Sequence, residues 1–163
     1  MRIVAGRWAG RELVSPGRRV RPSAEAVRAA ALDWVADVLP GARVLDLFAG
    51  TGALGLEALS RGAATADFVE RNPAALHALK ANVARFRLKG RARIFKKDAL
   101  AFLAGIPPGT YDLALVDPPY TSSLSERVVD EWLVRPFSRA LLVECGKDRT
   151  LPGRHQRRVL QDT

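Results

Sequence analysis

Arg43-Val44-Leu45-Asp46-Leu47-Phe48-Ala49-Gly50-Thr51-Gly52-Ala53-Leu54-Gly55 joins an apolar run to a carboxylate, a glycine turn and a helical stretch. Residues 43–47 have the length and branched aliphatic content of a buried strand, and 53–60 have those of a helix. The same alternation continues outward on the C-terminal side. Strands are expected at 65–69, 92–96, 112–116 and 139–144, with helices at 73–84, 98–104 and 123–133. Asn72 and Pro73 suit a helix start, and Ser123-Leu124-Ser125-Glu126 has the form of a capping box. Parallel neighbours need crossover connections, so this order predicts an α/β fold with a doubly wound, mostly parallel sheet and helices on both faces.

On the N-terminal side, residues 2–14 predict two short strands around glycines, a small hairpin, and Ser15-Pro16-Gly17 ends it. Ser23 is the expected N-cap of a helix with Val27, Ala31, Trp34, Val35 and Val38 on one face, stopped by Pro40-Gly41. The 163 residues are expected to form one domain, 1–22 being a basic hairpin extension and 23–163 the helix and core. A 48% apolar and 26% charged composition is that of a folded globular chain. No apolar run approaches ~18 residues, so neither signal peptide nor membrane span is expected. The single cysteine, Cys145, is placed at the end of a core strand as an inert buried thiol, which suits a reducing, cytoplasmic setting.

The net charge is +9 and the pI about 10.7, which points to a polyanionic partner. Arginine outnumbers lysine 21 to 5, a bias that genome composition can produce, so distribution says more. Arg2, Arg7, Arg11, Arg18, Arg19 and Arg21 face one acid, Glu12, within the first 22 residues; 85–97 hold seven cations and no acid. For that second block a solvated surface and a phosphate contact stand equal.

Each of the first four strands ends on an acid: Asp46, Glu70, Asp98 and Asp117. Ligands of such sheets bind beyond the carboxyl ends of the strands. Each acid also has a plain reading. Asp98 can cap the helix that follows it, Glu70 can pair with Arg71 or a local backbone group, and Asp117-Pro118-Pro119-Tyr120 can be a turn. Asp46 has a poorer one, because a carboxylate inside an apolar strand is costly to bury alone. Gly50-Thr51-Gly52-Ala53-Leu54-Gly55 fits G-x-G-x-x-G, with Glu70 twenty residues after Gly50, which admits a nicotinamide dinucleotide. Asp46, four residues before the turn, suits an ammonium better than a pyrophosphate. S-adenosylmethionine offers an amine for Asp46, ribose hydroxyls for Glu70 and an adenine amino group for Asp98. In Asp117-Pro118-Pro119-Tyr120 a carboxylate and a proline-fixed carbonyl can accept an amine's hydrogens, and the tyrosine ring can stack on a base.

These motifs, with Arg2-Ile3-Val4-Ala5-Gly6-Arg7-Trp8-Ala9-Gly10-Arg11-Glu12-Leu13 and Arg21-Pro22-Ser23, resemble the Rossmann-like S-adenosylmethionine-dependent methyltransferases, and within them the RsmD-type 16S ribosomal RNA guanine-N2 methyltransferases. The resemblance implies S-adenosylmethionine held around Asp46, Phe48, Gly50, Gly52, Glu70, Arg71, Asp98 and Ala99, and target-amine contact at Asp117, Pro118 and Tyr120. The partner it implies is 16S ribosomal RNA or a small-subunit assembly intermediate, docked by Arg2, Arg7, Arg11, Arg18, Arg19 and Arg21, with Trp8 for packing or stacking. Ser23 stands where the family usually has threonine, and Ala29-Ala30-Ala31 where it has a more polar helix with a glutamate. The family's last antiparallel strand would begin near Val159, so it is expected to be missing here. Neither His77 nor His155 has clustered partners, so no metal is expected; a monomer is. An adenine-N6 DNA methyltransferase, a nicotinamide-dependent oxidoreductase and a non-enzymatic ribosome-assembly factor are the alternatives.

Overall fold

The structure is a computed structural model that describes residues 1–16, 22–119, 122–146 and 149–153. Arg18, Arg19, Arg21, Tyr120, His155 and the expected last-strand segment therefore lie outside the described residues. The elements are α1 (Pro22–Trp34), β1 (Arg43–Asp46), α2 (Ala53–Ser60), β2 (Thr65–Val69), α3 (Pro73–Arg85), β3 (Ala92–Phe95), α4 (Ala99–Ala104), β4 (Tyr111–Val116), α5 (Leu124–Val134) and β5 (Ser138–Val143).

Among the described residues, five strands form one sheet in the order β3-β2-β1-β4-β5, and all four of its pairings are parallel. From β1 the chain winds outward through β2 to β3, then returns to lay β4 on the other side of β1. The sheet's winding reverses between β1 and β4, so their carboxyl ends flank the crevice where such sheets take ligands. Side-chain alternation divides the core between two faces. Val44, Phe68, Leu113 and Leu115 pack on one side with Leu56, Leu76, Leu79 and Phe86. Leu45, Leu47, Val69, Ala114 and Val116 pack on the other with Phe102, Leu103, Val128 and Phe137. Thus α2 and α3 cover one face, and α4 and α5 the other.

The N-terminal segment is part of this core. Ile3, Trp8 and Leu13 are buried in the first cluster, and Trp8 lies 4.5 Å from Phe86 between ring centroids, so packing is its role. The expected hairpin is present: Arg2 and Glu12 form an antiparallel bridge, and the amides of Ile3, Gly10 and Leu13 donate across it to the carbonyls of Arg11 (2.9 Å), Ile3 (2.8 Å) and Met1 (2.8 Å). Side chains of α2 and α3 tie it to the core. The fully buried Glu57 accepts from the amides of Val4 (2.8 Å) and Ala5 (3.1 Å), flanked by Arg28 at 3.5 Å and Arg61 at 3.7 Å. Asn82 accepts from the Val14 amide and donates to the carbonyls of Val14 and Thr51.

Three local expectations are corrected. Ser23 is not the cap of α1: the helix already includes Pro22, whose fixed φ suits a first turn, and its most buried residues are Arg28 and Leu32. The expected capping box is not formed: the Ser123 side chain makes no capping bond, and Glu126 is in an ion pair with Arg149 at 2.7 Å. Cys145 is half-buried, lying past the end of β5 rather than in the core.

Candidate active site

At the end of β1, Asp46 is 1% exposed. Its Oδ2 accepts from the Gly55 amide at 2.9 Å, and its Oδ1 is buried without a hydrogen-bond partner. Burial pushes its carboxyl up to about 7; the charge of Glu70 adds to this and the Gly55 bond opposes it. Gly55 has to be glycine for this approach, since a Cβ there would stand 2.4 Å from Cε1 of Phe68 and 3.1 Å from Asp46 Oδ2. Gly52 caps α2 in the left-handed region at φ 85°, so the turn leads from strand to helix in a few residues.

Glu70, after β2, reaches back to the glycine turn. Its Oε2 accepts from the Gly50 amide at 2.8 Å, and its Oε1 from the amides of Arg71 and Asn72 at 2.9 and 2.8 Å. The local-backbone role is therefore filled, and carboxylate lone pairs remain for hydroxyl donors. Arg71 directs its guanidinium to Asp98 at 3.3 Å. Asp98 also caps α4 through the Ala101 amide, so it performs the helix role expected of it. Ala99 is buried beneath it, and Phe48 is half-buried against the second core cluster.

Asp117 and Pro118 follow β4. Pro118 is buried, Asp117 is half-buried, and the carbonyl of Pro119 is held by both the amide and the hydroxyl of Ser122. The Asp117 carboxyl is pushed up to about 7 by burial, by the charges of Glu144 and Asp46, and by a hydrogen bond with Glu144. Glu144 is the residue that the sequence reading missed. Val143 pairs with Val116, and the Glu144 amide donates to the Val116 carbonyl at 2.8 Å, so Glu144 stands beside Asp117 one step beyond the register. The signal was present: Glu144 is the acid at the end of the fifth strand, under the same rule that selected the other four.

Asp46, Glu70, Asp117 and Glu144 thus gather at the carboxyl edge around the β1–β4 crevice, and Asp98 closes its β3 side. Two consequences follow. The amides of Gly50 and Gly55 are already bonded to carboxylates, and that of Gly52 to the Ala49 carbonyl, so the loop is poorly provided for a pyrophosphate. The buried, unpartnered Asp46 oxygen and the raised Asp117 instead favour groups that donate hydrogen bonds or carry positive charge. An S-adenosylmethionine amine, ribose and adenine match that donor set. Among the described residues no three His, Cys, Asp or Glu side chains are placed to hold a metal, and no helix is long and apolar enough to cross a membrane.

The basic residues fall elsewhere. Arg2 bonds through its amide to Glu25. Arg7 is fixed through its amide to the Ser60 carbonyl at the far end of α2, and Arg11 lies over Phe86.

Comparison with known proteins agrees with this fold. The chain is 42% identical over 135 residues to the ribosomal RNA small subunit methyltransferase D of Escherichia coli (strain K12), covering 80% of this chain. It spans 65% of that relative's length. It is 32% identical over 160 residues to the protein of the same name from Haemophilus influenzae, covering 93% of this chain and 81% of that one. The solved structure described as "Putative methyltransferase yhhF from Escherichia coli" superposes with a TM-score of 0.84 at 36% identity, covering 99% of this chain and 93% of the other. The profile of the family described as "Conserved hypothetical protein 95" matches residues 1–155, and the chain belongs to that family.

Proposed function

We propose that this chain transfers the methyl group of S-adenosylmethionine to the exocyclic N2 amine of a guanine in 16S ribosomal RNA. The observation that carries the reading is the pairing of a buried Asp46, with an unpartnered oxygen, and a raised Asp117 across the β1–β4 crevice. The family relatives named as ribosomal RNA small subunit methyltransferases supply the substrate class. That substrate accords with a cytoplasmic setting.

When bound, S-adenosylmethionine supplies an electrophilic methyl group. Asp46 Oδ1 would accept from its amine, Glu70 would receive the ribose hydroxyls, and Asp98 would lie on the adenine side. A guanine N2 amine is a weak nucleophile, because its lone pair is delocalised into the ring. Asp117 and the Pro118 carbonyl would accept its two hydrogens, fix its lone pair toward the methyl group, and stabilise the positive charge that grows on nitrogen. The surplus proton then passes to the Asp117 carboxylate or to water. Tyr120 would stack on the extruded base. The nicotinamide alternative is disfavoured, because a pyrophosphate would meet four carboxylates and amides already engaged.

Replacing Asp117 with alanine tests the assignment. Turnover on small-subunit particles is expected to fall on the order of 100-fold, with calorimetric affinity for S-adenosylmethionine retained. Normal turnover would remove Asp117 from the amine-accepting role.

A further inference from the structure

The acidic crevice raises a difficulty that the rest of the molecule answers. Asp46, Glu70, Asp117 and Glu144 repel the phosphate backbone that carries any target base, so affinity for a polyanion has to come from another surface. The connection between α3 and β3 provides one. α3 leaves the carboxyl edge after Asn72 and ends thirteen residues later at Arg85, about 20 Å away at 1.5 Å per residue. β3 then starts at Ala92, level with Ala66 near the amino end of β2. The connection therefore lies at the edge of the sheet opposite the crevice.

Residues 85–91 read Arg-Phe-Arg-Leu-Lys-Gly-Arg, without an acid. Phe86 and Leu88 are buried, while Arg85, Arg87 and Lys89 between and beside them are exposed. Arg87 and Lys89 adopt φ 49° and 41°, a left-handed backbone that residues with side chains rarely hold. The N-terminal segment joins this surface. The Arg11 guanidinium lies 4.4 Å from the Phe86 ring centroid and donates to the Arg85 carbonyl at 3.3 Å, and Arg7 is anchored at the same edge through Ser60. Two basic blocks more than seventy residues apart in sequence become one face. Their neighbours Arg91 and Arg93 have local duties, on the carbonyls of Ala63 and Ala64 and on Asp67.

We infer that Arg7, Arg11, Arg85, Arg87 and Lys89 form a docking face for the RNA phosphate backbone at the end of the molecule opposite the crevice. The inference rests on the ribosomal RNA reading above. Exposed cations release counterions from a polyanion and read no bases, so this face positions the RNA while the crevice selects the amine. A substrate must then span both, and loss of the face should raise KM and leave kcat in place.

The test uses the full chain and protein-free 16S ribosomal RNA, with binding followed by fluorescence anisotropy over a range of salt concentrations. In the triple variant Arg85→Gln, Arg87→Gln, Lys89→Gln, the slope of log affinity against log salt should fall by about 2 to 3, at ~0.7–0.9 for each phosphate no longer neutralised. Calorimetric affinity for S-adenosylmethionine and kcat should stay unchanged while KM for RNA rises. The charge-conserving variant Arg85→Lys, Arg87→Lys, Lys89→Arg should restore slope and KM. A wild-type protein without salt-dependent RNA binding overturns the RNA reading itself. Steep wild-type binding with the same slope and KM in the triple variant overturns only the docking face. Affinity lost for a ribonucleoprotein particle but not for naked RNA also overturns it, and assigns the surface to an acidic protein.

Discussion

Asp46→Asn isolates the electrostatic cost built into the crevice. The native carboxyl titrates near 7, against 3.8 for an unstrained aspartate, chiefly because it is buried. Across that interval the folded chain holds a proton that the unfolded chain has released. Stability is therefore fully present below pH ~4 and is lost as pH rises through about 7. At about 1.4 kcal/mol per pH unit, the loss reaches about 4 kcal/mol by pH 8, of which about 3 falls between pH 5 and pH 8. Asparagine carries no such dependence. It keeps an acceptor for the Gly55 amide, but buries an amide donor where Asp46 has an unpartnered oxygen, at a pH-independent cost of about 1–3 kcal/mol. Urea denaturation of both proteins at pH 5 and pH 8 should thus show the stability difference swinging by about 3 kcal/mol in the variant's favour as pH rises, roughly 10 °C in Tm. The gain should come with weaker binding of S-adenosylmethionine, since the proposed function sets the Asp46 carboxylate against its amine. Parallel stability curves, with no swing between the two pH values, would refute the claim that Asp46 is held as a desolvated acid.

Glu144→Gln removes the like charge beside Asp117 and should lower the Asp117 pKa from about 7. With only about a tenth of Asp117 ionised at pH 6 in the wild type, the variant's kcat/KM relative to wild type should be several-fold higher at pH 6 than at pH 8. An equal ratio at both values would detach Glu144 from the titration. Glu57→Gln leaves Arg28 buried without its counter-charge and weakens the hold on Val4 and Ala5. A stability loss of about 3–5 kcal/mol is expected by chemical denaturation, and a change under 1 kcal/mol would mean the ion pair is dispensable.

The sheet was legible because its strands are short apolar runs punctuated by glycine, proline and helix caps, a local signal that tertiary contacts reinforced. Asp46 was legible for the same reason, as a carboxylate where apolar side chains belong. Local signals failed where a distant partner won. Glu126 pairs with Arg149, and the opening hairpin is anchored by buried side chains of α2 and α3 that its own pattern does not show. The role of Glu57 has no local signal, since nothing in the sequence shows that both sides of α2 are covered. Glu144 was equally legible, as the acid that ends the expected strand 139–144, but the rule was applied only to the first four strands. The meeting of Arg11 with Phe86 depends on a fold-back across more than seventy residues, which spacing does not encode.

Methyl transfer itself gives the most direct measurement. Incubation of the protein with label on the methyl group of S-adenosylmethionine and small-subunit particles, followed by digestion of the RNA and nucleoside analysis, should place the label in N2-methylguanosine from 16S ribosomal RNA. Label in N6-methyladenosine, in ribosomal protein or in no product at all would contradict the account.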